Sequence, residues 1–581
     1  MIEMNDDIKV EKISEHLKDK SVALCVTGGI ASIESVKIAR MLRRHGADVK
    51  AYMTDSAQKF IGVASLEWAT GNEVVTKLSG RSEHISLEDL VLVAPATANT
   101  ISKVSNGIAD NAVTTLISSA LGKGKPVYFA PAFHKSLGDN PIFVDNLSKL
   151  LKYSKVIDPR DSEGKYKLAK LDDIIAETVR ALSDDPLKGK KVLITAGPTK
   201  GYIDSVRYIS NSSSGKLGLE LAKDLYLRGA DVTVVYGPGK VSFPNYIDRI
   251  DVKTPDEMLD ATMEELEKDY DVAIFAAAVL DFKPMDYIDG KTKSGGKMMV
   301  ELGPTKKIIK EVDKLGKRIF KVGFKLEYAK DDEELKDIGF EALLKNNCNI
   351  VVANDLFKIR DGKHKAYIIT PEKGYTEVPD KKSIVSTLLE EVGRRSTATF
   401  YHTNFVDSTI TEEYFSRFSS TGRELSSYDL LPKYGKSSFG NMSSRTDKGF
   451  VITSRKSDKS GMTVEDIVEV VGVDHENKKK FVKGVKKPSS DMLVHEAIYN
   501  NFPDVNAIIH VHDDYVVNNA EGLGLPVTEF DYPCGSLEAA DEVLKVIGDN
   551  HYIVMKNHGV LALGKDLEDA KSKILQYRRE K

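Results

Sequence analysis

The sequence predicts an α/β protein of three segments, and three observations carry that prediction. Apolar runs of strand length alternate with helical patterns from about residue 20 to 395. Several of these runs end in turns rich in Gly, Pro, Ser or Thr, as parallel strands do where a ligand sits beyond their carboxyl ends. After residue 395 the chain becomes richer in alternating strands and carries most of its histidines, which predicts a separately folding module.

Length and composition narrow the class. At 581 residues the chain is too long for one core. Hydrophobic content of 41% and charge of 29% describe a soluble globular protein. A net charge of −4 gives no electrostatic reason to expect nucleic acid or an anionic membrane surface. No run approaches the roughly 18 apolar residues of a membrane span. The start, Met1 to Asp7, is acidic where a signal peptide would be basic and then apolar. Cys25, Cys348 and Cys534 show no metal or redox spacing and read as reduced thiols, so a cytoplasmic location is expected.

The first segment, residues 1–185, opens with the run Val22–Val26, which ends in Thr27-Gly-Gly-Ile-Ala-Ser32 and passes into a helix through Arg43. Asp48–Met53 is the next strand and Thr54–Ala57 caps a further helix. Leu90–Ala94 and Pro126–Ala130 each lead into a Pro-Ala turn. The polar stretch Asp184–Lys191 marks the first boundary.

The second segment, 186–395, is organised around Val192–Thr199 and Asp204–Gly218. An apolar run ends in a Gly-Pro turn, and Asn211–Gly215 opens onto a helix whose free N–H groups suit a phosphate. Ser212, Ser213 and Ser214 add hydroxyls; alone, the turn reads equally as an ordinary loop. Strands are expected at Asp231–Val235, Val272–Ala276, Phe320–Phe324 and Asn349–Ala353, with helix 382–393 closing the unit and Gly393–Thr397 as a linker. The third segment is 396–581.

Five ordered motifs in the first segment, Thr27–Ala31, Glu83–Leu87, Ala94–Asn99, Gly107–Asp110 and Pro131–His134, resemble those of phosphopantothenoylcysteine decarboxylases. The resemblance implies a flavodoxin-like, Rossmann-like domain with FMN held by Gly28, Gly29, Ser32, Ser56, Thr97 and Asn99. It assigns His84 as the base in oxidation of a thiol to a thioaldehyde, after which the carboxylate leaves; read alone, His84 is a surface histidine. Two departures stand out. His134 occupies the place of an amide that holds the substrate carboxylate, and the flap region Asp158–Ala169 has no Cys, leaving Lys165, Tyr166 or Lys167 as proton donor.

The second segment, with Ala276–Pro284, Gly290–Lys293, Val322–Phe324 and Ala353–Asp355, resembles phosphopantothenate–cysteine ligases, and the pairing matches the fused bifunctional enzymes of coenzyme A synthesis. The resemblance implies a second Rossmann-like domain and three substrates: CTP, 4′-phosphopantothenate and cysteine. An acyl-cytidylate forms and is captured by the cysteine amine. By matched position Asn211 holds the acyl group and Lys291 neutralises phosphoryl charge. Arg207 and Ser213 serve the phosphate side, and Asp281 and Phe324 the nucleotide side. Mg²⁺ is expected with the triphosphate, although no carboxylate cage is visible. Without the motif order Lys291 and Lys293 read as a solvated loop.

In the third segment His510 and His512 lie two apart on an expected strand, hence on one face, and His558 ends another apolar run. Three imidazoles with an open fourth position suit a catalytic Zn²⁺, although His-x-His is common in cores and on surfaces. Together with Gly440–Arg445 and Lys487–Asp491 these residues resemble the class II aldolase/adducin family. That resemblance implies an α/β fold, a substrate phosphate on Asn441, Ser489 and Ser490, and a lyase reaction on a small phosphorylated or hydroxy-carbonyl compound. The usual acid/base Glu is Asp491 here, and Glu496 lies on a different helix face. The likenesses also imply a homo-oligomer. The rival reading is a non-catalytic flavin- and metal-binding scaffold.

Overall fold

The computed structural model describes residues 8–577 except 81, 294, 296–297, 329–330, 357–364, 373 and 410–411. The chain forms two compact units, Met1–Ile319 and Phe320–Lys581.

In the first unit, a five-stranded parallel sheet runs in the order Asp48–Met53, Ser21–Val26, Leu90–Ala96, Val127–Pro131 and Lys155–Val156. Leu90–Ala96 is buried at every position, as expected of a strand covered on both faces. Helices Ser35–Arg44, Val63–Thr70, Ala98–Ser105, Ala112–Gly122 and Leu171–Leu182 flank it. A small antiparallel sheet joins Phe133–His134 to Lys165–Lys167 and Arg160–Ser162, setting His134 opposite Lys165.

The rest of that unit carries a second parallel run, Asp248–Asp251, Asp231–Tyr236, Lys191–Ala196 and Val272–Phe275. Helix Lys216–Leu227 follows Lys191–Ala196 across the loop, and Gly218 lets it sit close: a Cβ there would lie 2.3 Å from that of Ala196.

The second unit begins with Phe320–Glu327, parallel to Ile350–Asp355, with Ala366–Ile369 and Tyr375–Val378 added antiparallel. After helix Lys381–Ser396 comes a mostly antiparallel sheet. Its strands run His402–Asp407, Lys479–Lys483, Ile467–Asp474, Gly449–Thr453, Asn441–Thr446, Ala507–Val511, Gly559–Gly564 and Tyr552–Met555. Helices Met492–Asn501 and Leu537–Ile547 pack on one face. Helices Phe415–Ser427 and Leu567–Gln576 pack on the other. Among the described residues no helix is long and apolar enough to cross a membrane.

The expected linker Gly393–Thr397 is corrected. Four of its five residues are the last turn of helix Lys381–Ser396, and Arg395 is buried. Its guanidinium meets Glu372 at 2.9 Å, Glu391 at 2.9 Å and Asp531 at 2.8 Å. A charged run looks solvated in sequence; here carboxylates distant in the chain make burial of the cation tolerable. Arg395→Ala leaves those carboxylates buried without their counter-ion. It is expected to cost about 3–5 kcal/mol, read from urea denaturation at neutral pH.

Candidate functional site

Three groups of side chains gather beyond strand ends. In the first, Thr27 ends Ser21–Val26, and its buried hydroxyl donates to Pro95 O at 2.7 Å while accepting from Thr97 N at 3.0 Å. This one side chain ties two strand-end loops together. Gly28 lies so close to the next loop that a Cβ would sit 2.4 Å from Ser56 Cβ, leaving backbone as the only material there. Thr97 caps helix Ala98–Ser105 by accepting from Thr100 N, and Asn99 and Ser56 are exposed. Ser32 differs from expectation. Its hydroxyl is buried and donates to Thr27 O and Gly29 O, so it braces the glycine loop instead of offering a proton to a phosphate.

His84 is exposed on the loop before strand Leu90–Ala96. His134 is also exposed; its Nδ1 accepts from Ser136 N at 3.3 Å as it caps a short helix. Directly paired antiparallel residues project to the same face, so Lys165 stands beside His134. Tyr166 packs edge-on against Phe133, and Lys167 pairs with Glu163 at 2.7 Å.

The second group is knotted around Asp204, a residue with no role assigned from sequence. Its carboxylate is buried and accepts from Val206 N at 2.8 Å, Arg207 N at 2.7 Å and Thr292 N at 3.2 Å. It also pairs with the Arg207 guanidinium at 2.5 Å. The backbone N–H of Arg207, with those of Val206 and Thr292, outweighs desolvation and holds this carboxyl well below the usual range. Arg207 in turn donates to Thr292 O at 3.2 Å. Ser205 N donates to Gly290 O at 3.1 Å, zipping 203–207 to 288–292 and setting exposed Lys291 at its place.

Asn211 spends both amide hydrogens on Ala278 O at 3.2 Å and Val279 O at 3.1 Å, leaving Oδ1 as its outward face. Gly215, at φ +78°, then turns the chain into helix Lys216–Leu227, with Ser213 Oγ accepting from Gly215 N at 3.4 Å. Asp281 is exposed in the loop after strand Val272–Phe275, and Thr305 N donates to its carbonyl at 2.9 Å. Phe324 lies half-buried on Phe320–Glu327 in the other compact unit.

The third group is the most enclosed. His510 is the next-to-last residue of strand Ala507–Val511, His512 lies just past it, and His558 sits in the turn before Gly559–Gly564. His512 is thus off the strand proper, yet its ring stacks on His510 at 5.0 Å, and His558 meets them edge-on at 4.6 and 5.1 Å. One ring nitrogen from each lies within 4.8 Å of the others. His510 Nε2 is buried without a partner, as a nitrogen awaiting a metal would be. Burial, with His510 beside it, pushes His558 down to about 4, and burial likewise pushes His512 well below the usual range, so these two rings are neutral and able to ligate.

Two expectations change here. Asp491 is buried and its Oδ2 takes His510 Nδ1 at 2.9 Å, which makes it a carboxylate that orients a histidine. Burial alone would raise its carboxyl; His510 and the other imidazoles outweigh that and hold it below the ordinary range. Asn441, paired across the sheet with His510, donates to Asp491 Oδ2 at 2.7 Å, so its amide nitrogen is engaged inside the cluster while Oδ1 meets no hydrogen-bond partner. Ser489 and Ser490 do line a cavity of about 440 Å³, together with Arg455, Lys459 and the histidines. Glu496 points away, to His475 and Asn500.

Lys459 and Cys534 were missed from sequence. Lys459 is buried, donates to Ser438 O and Ser457 O, and is pushed down to about 8 by that burial. Neither residue has a local signal, because both reach the site from loops that only the sheet brings near.

Comparison with known proteins matches three stretches of the chain to three families. Residues 10–183 match the Flavoprotein family, and 187–395 match the DNA/pantothenate metabolism flavoprotein C-terminal domain. Residues 426–579 match the class II aldolase and adducin N-terminal domain. The coenzyme A biosynthesis bifunctional protein CoaBC of Thermococcus kodakarensis is 44% identical over 353 residues, 59% of this chain and 87% of the relative. The protein of the same name from Methanocaldococcus jannaschii is 37% identical over 387 residues, 65% and 94% of the two chains. A crystal structure of the C-terminal domain of such a bifunctional protein is 28% identical, with a TM-score of 0.31, covering 36% of this chain and 97% of its own.

The chain is therefore a two-activity flavoprotein enzyme with an aldolase-type domain at its C-terminal end. It belongs to the family of bifunctional coenzyme A biosynthesis proteins, which carry a ligase and a decarboxylase.

Asp204→Ala removes the acceptor that holds Arg207 and the 288–292 loop together. It is expected to lower ligase turnover by at least tenfold while leaving the flavin absorbance per chain unchanged, measured on the same preparation.

Proposed function

We propose that the chain joins cysteine to 4′-phosphopantothenate at the expense of CTP and then decarboxylates the product to 4′-phosphopantetheine. CO₂, CMP and pyrophosphate are released. The observation that supports this reading is the Asp204 knot, which ties Arg207 to the loop that carries Lys291, while Asn211 is tied to the 278–279 backbone.

In the ligase half, the substrate carboxylate attacks the α-phosphorus of CTP and pyrophosphate leaves. The Lys291 ammonium neutralises charge as it builds on the transferred phosphoryl group, and the Arg207 cation lies on the same side. Ser213 and the first N–H groups of helix Lys216–Leu227 face phosphate oxygens. Asn211 orients the acyl-cytidylate for attack by the cysteine amine. Asp281 and Phe324 belong to the nucleotide, and Mg²⁺ accompanies its triphosphate.

In the decarboxylase half, Gly28, Gly29, Ser56, Thr97 and Asn99 hold FMN, with Ser32 bracing the loop. The close approach at Gly28 suits a cradle built of backbone. When bound, FMN would supply reversible two-electron chemistry: the pair removed in oxidising the substrate thiol is returned after the carboxylate leaves, so turnover is redox-neutral. His84 takes the thiol proton, His134 holds the carboxylate, and Lys165 beside it returns the final proton. Subunits associate as a homo-oligomer.

For the C-terminal domain, the reading is a Zn²⁺ lyase on a small phosphorylated hydroxy-carbonyl compound. His510, His512 and His558 hold the metal, which supplies Lewis acidity. Asp491 fixes the His510 tautomer, while Ser489, Ser490, Arg455 and Lys459 receive the phosphate.

Asn211→Asp and Lys291→Gln test the ligase reading directly. Each is expected to cut CMP formation from CTP by about 10²-fold or more, on the scale of losing one fixed transition-state contact. Parental rates in both would end the assignment.

Lys459 supplies a pH test of the third cavity. Its ammonium is charged below about 8 and neutral above, so inorganic phosphate is expected to bind well at pH 7 and weaken as pH rises past 8. Lys459→Arg is expected to keep its affinity through pH 9, followed by calorimetry.

A further inference from the structure

We propose that Cys534 supplies a thiolate ligand to the dication held by His510, His512 and His558, giving a centre of three nitrogens and one sulfur. This rests on the three-histidine reading, in which the fourth position is otherwise open.

The distances favour it. Cys534 Sγ lies 3.2 Å from His558 Nε2. Ligands at Zn–N of 2.0–2.1 Å and Zn–S of 2.3 Å, separated by a tetrahedral angle, stand about 3.5 Å apart. Donor atoms of Asp491, Cys534 and His558 lie within 4.8 Å of one another, as do those of the three histidines. The two triads share His558, so one metal at that shared vertex draws on both. Asp491 spends Oδ2 on His510 Nδ1 and Asn441 and keeps Oδ1 without a hydrogen-bond partner, so the sulfur is preferred over that oxygen on its 3.2 Å approach to His558 Nε2.

An independent observation points to a ligand in the same place. His510 is buried, its Nδ1 is held by Asp491, and its Nε2 meets no hydrogen-bond partner. A lone pair held in this way is the arrangement that second-sphere carboxylates impose on metal-binding imidazoles.

The thiol is also delivered by a built loop. Cys534 N donates to Glu372 Oε1 at 3.3 Å, and Arg395 clamps Glu372 and Asp531 on the same stretch. Gly535, at φ +82°, brings the backbone against Ser490, where a Cβ would lie 2.5 Å from the carbonyl oxygen. Ser536 then caps helix Leu537–Ile547. The sulfur is therefore placed from both sides: by the segment matched to the ligase family and by the serine loop of the third cavity.

Binding is balanced as displacement of a proton. The thiol S–H bond breaks, the sulfur pair forms the bond to the dication, and the proton passes to solvent. Three imidazoles and a thiolate select Zn²⁺ or Co²⁺ over Mg²⁺ and Mn²⁺.

The test is X-ray absorption at the zinc edge on the zinc-loaded full-length chain, with zinc content and chelator competition measured in parallel. Expected is one sulfur at about 2.3 Å in the parent. In Cys534→Ser that sulfur is lost, with zinc affinity lower by at least tenfold. A parent shell of nitrogen and oxygen alone, with zinc still lost in His510→Ala, overturns the thiolate while sparing the three-histidine site. A sulfur that persists in Cys534→Ser also overturns it. A parent that binds no zinc overturns both. The parent spectrum decides the point even if the serine variant fails to fold.

Discussion

All three sites depend on one constraint: a polar side chain buried where a strand ends or a helix begins is held by hydrogen bonds to the neighbouring segments. Thr27 is held in this way between Pro95 and Thr97, Asp204 between residues 206–207 and 292, and Asp491 between Asn441 and His510. An unmade hydrogen bond at such a position costs about 1–3 kcal/mol, so the loops are held where the acceptors need them. Exposed groups on the loops beside them, such as Lys291 and Asn99, are placed as a consequence.

The Arg395 cluster extends the same logic across the chain. Glu372 and Glu391 belong to the segment matched to the ligase family, while Asp531 belongs to the segment matched to the aldolase family. A buried cation shared by carboxylates from both is costly to break. The loop that carries Cys534 is anchored to that cluster through Glu372. The C-terminal cavity is accordingly walled in part by Leu343, Asn347 and Pro371 from the preceding segment. Fusion here does more than keep two activities on one chain.

Much of the fold is legible from the residues alone. Leu90–Ala94 and Asp231–Val235 are apolar runs bounded by turn residues, and the observed strands begin at the same residues and end one or two residues later. Where the reading failed, the cause was tertiary. Gly393–Thr397 has the charge and the Gly of a linker, yet it continues a helix because Glu372 and Asp531 neutralise Arg395. Ser32 has the composition of a phosphate loop, yet Thr27 O and Gly29 O claim its proton.

The sequence by itself determined the alternation of strands and helices, the turns at strand ends and the three histidines, because those depend on local periodicity and residue type. Only the tertiary structure decided which polar groups are spent inside and which face outward. Asp491 became an orienting carboxylate, and Lys459 and Cys534 joined the histidines, through contacts between residues tens of positions apart. Hydrogen-bond satisfaction on burial is a property of the packed chain, and local sequence carries no record of it.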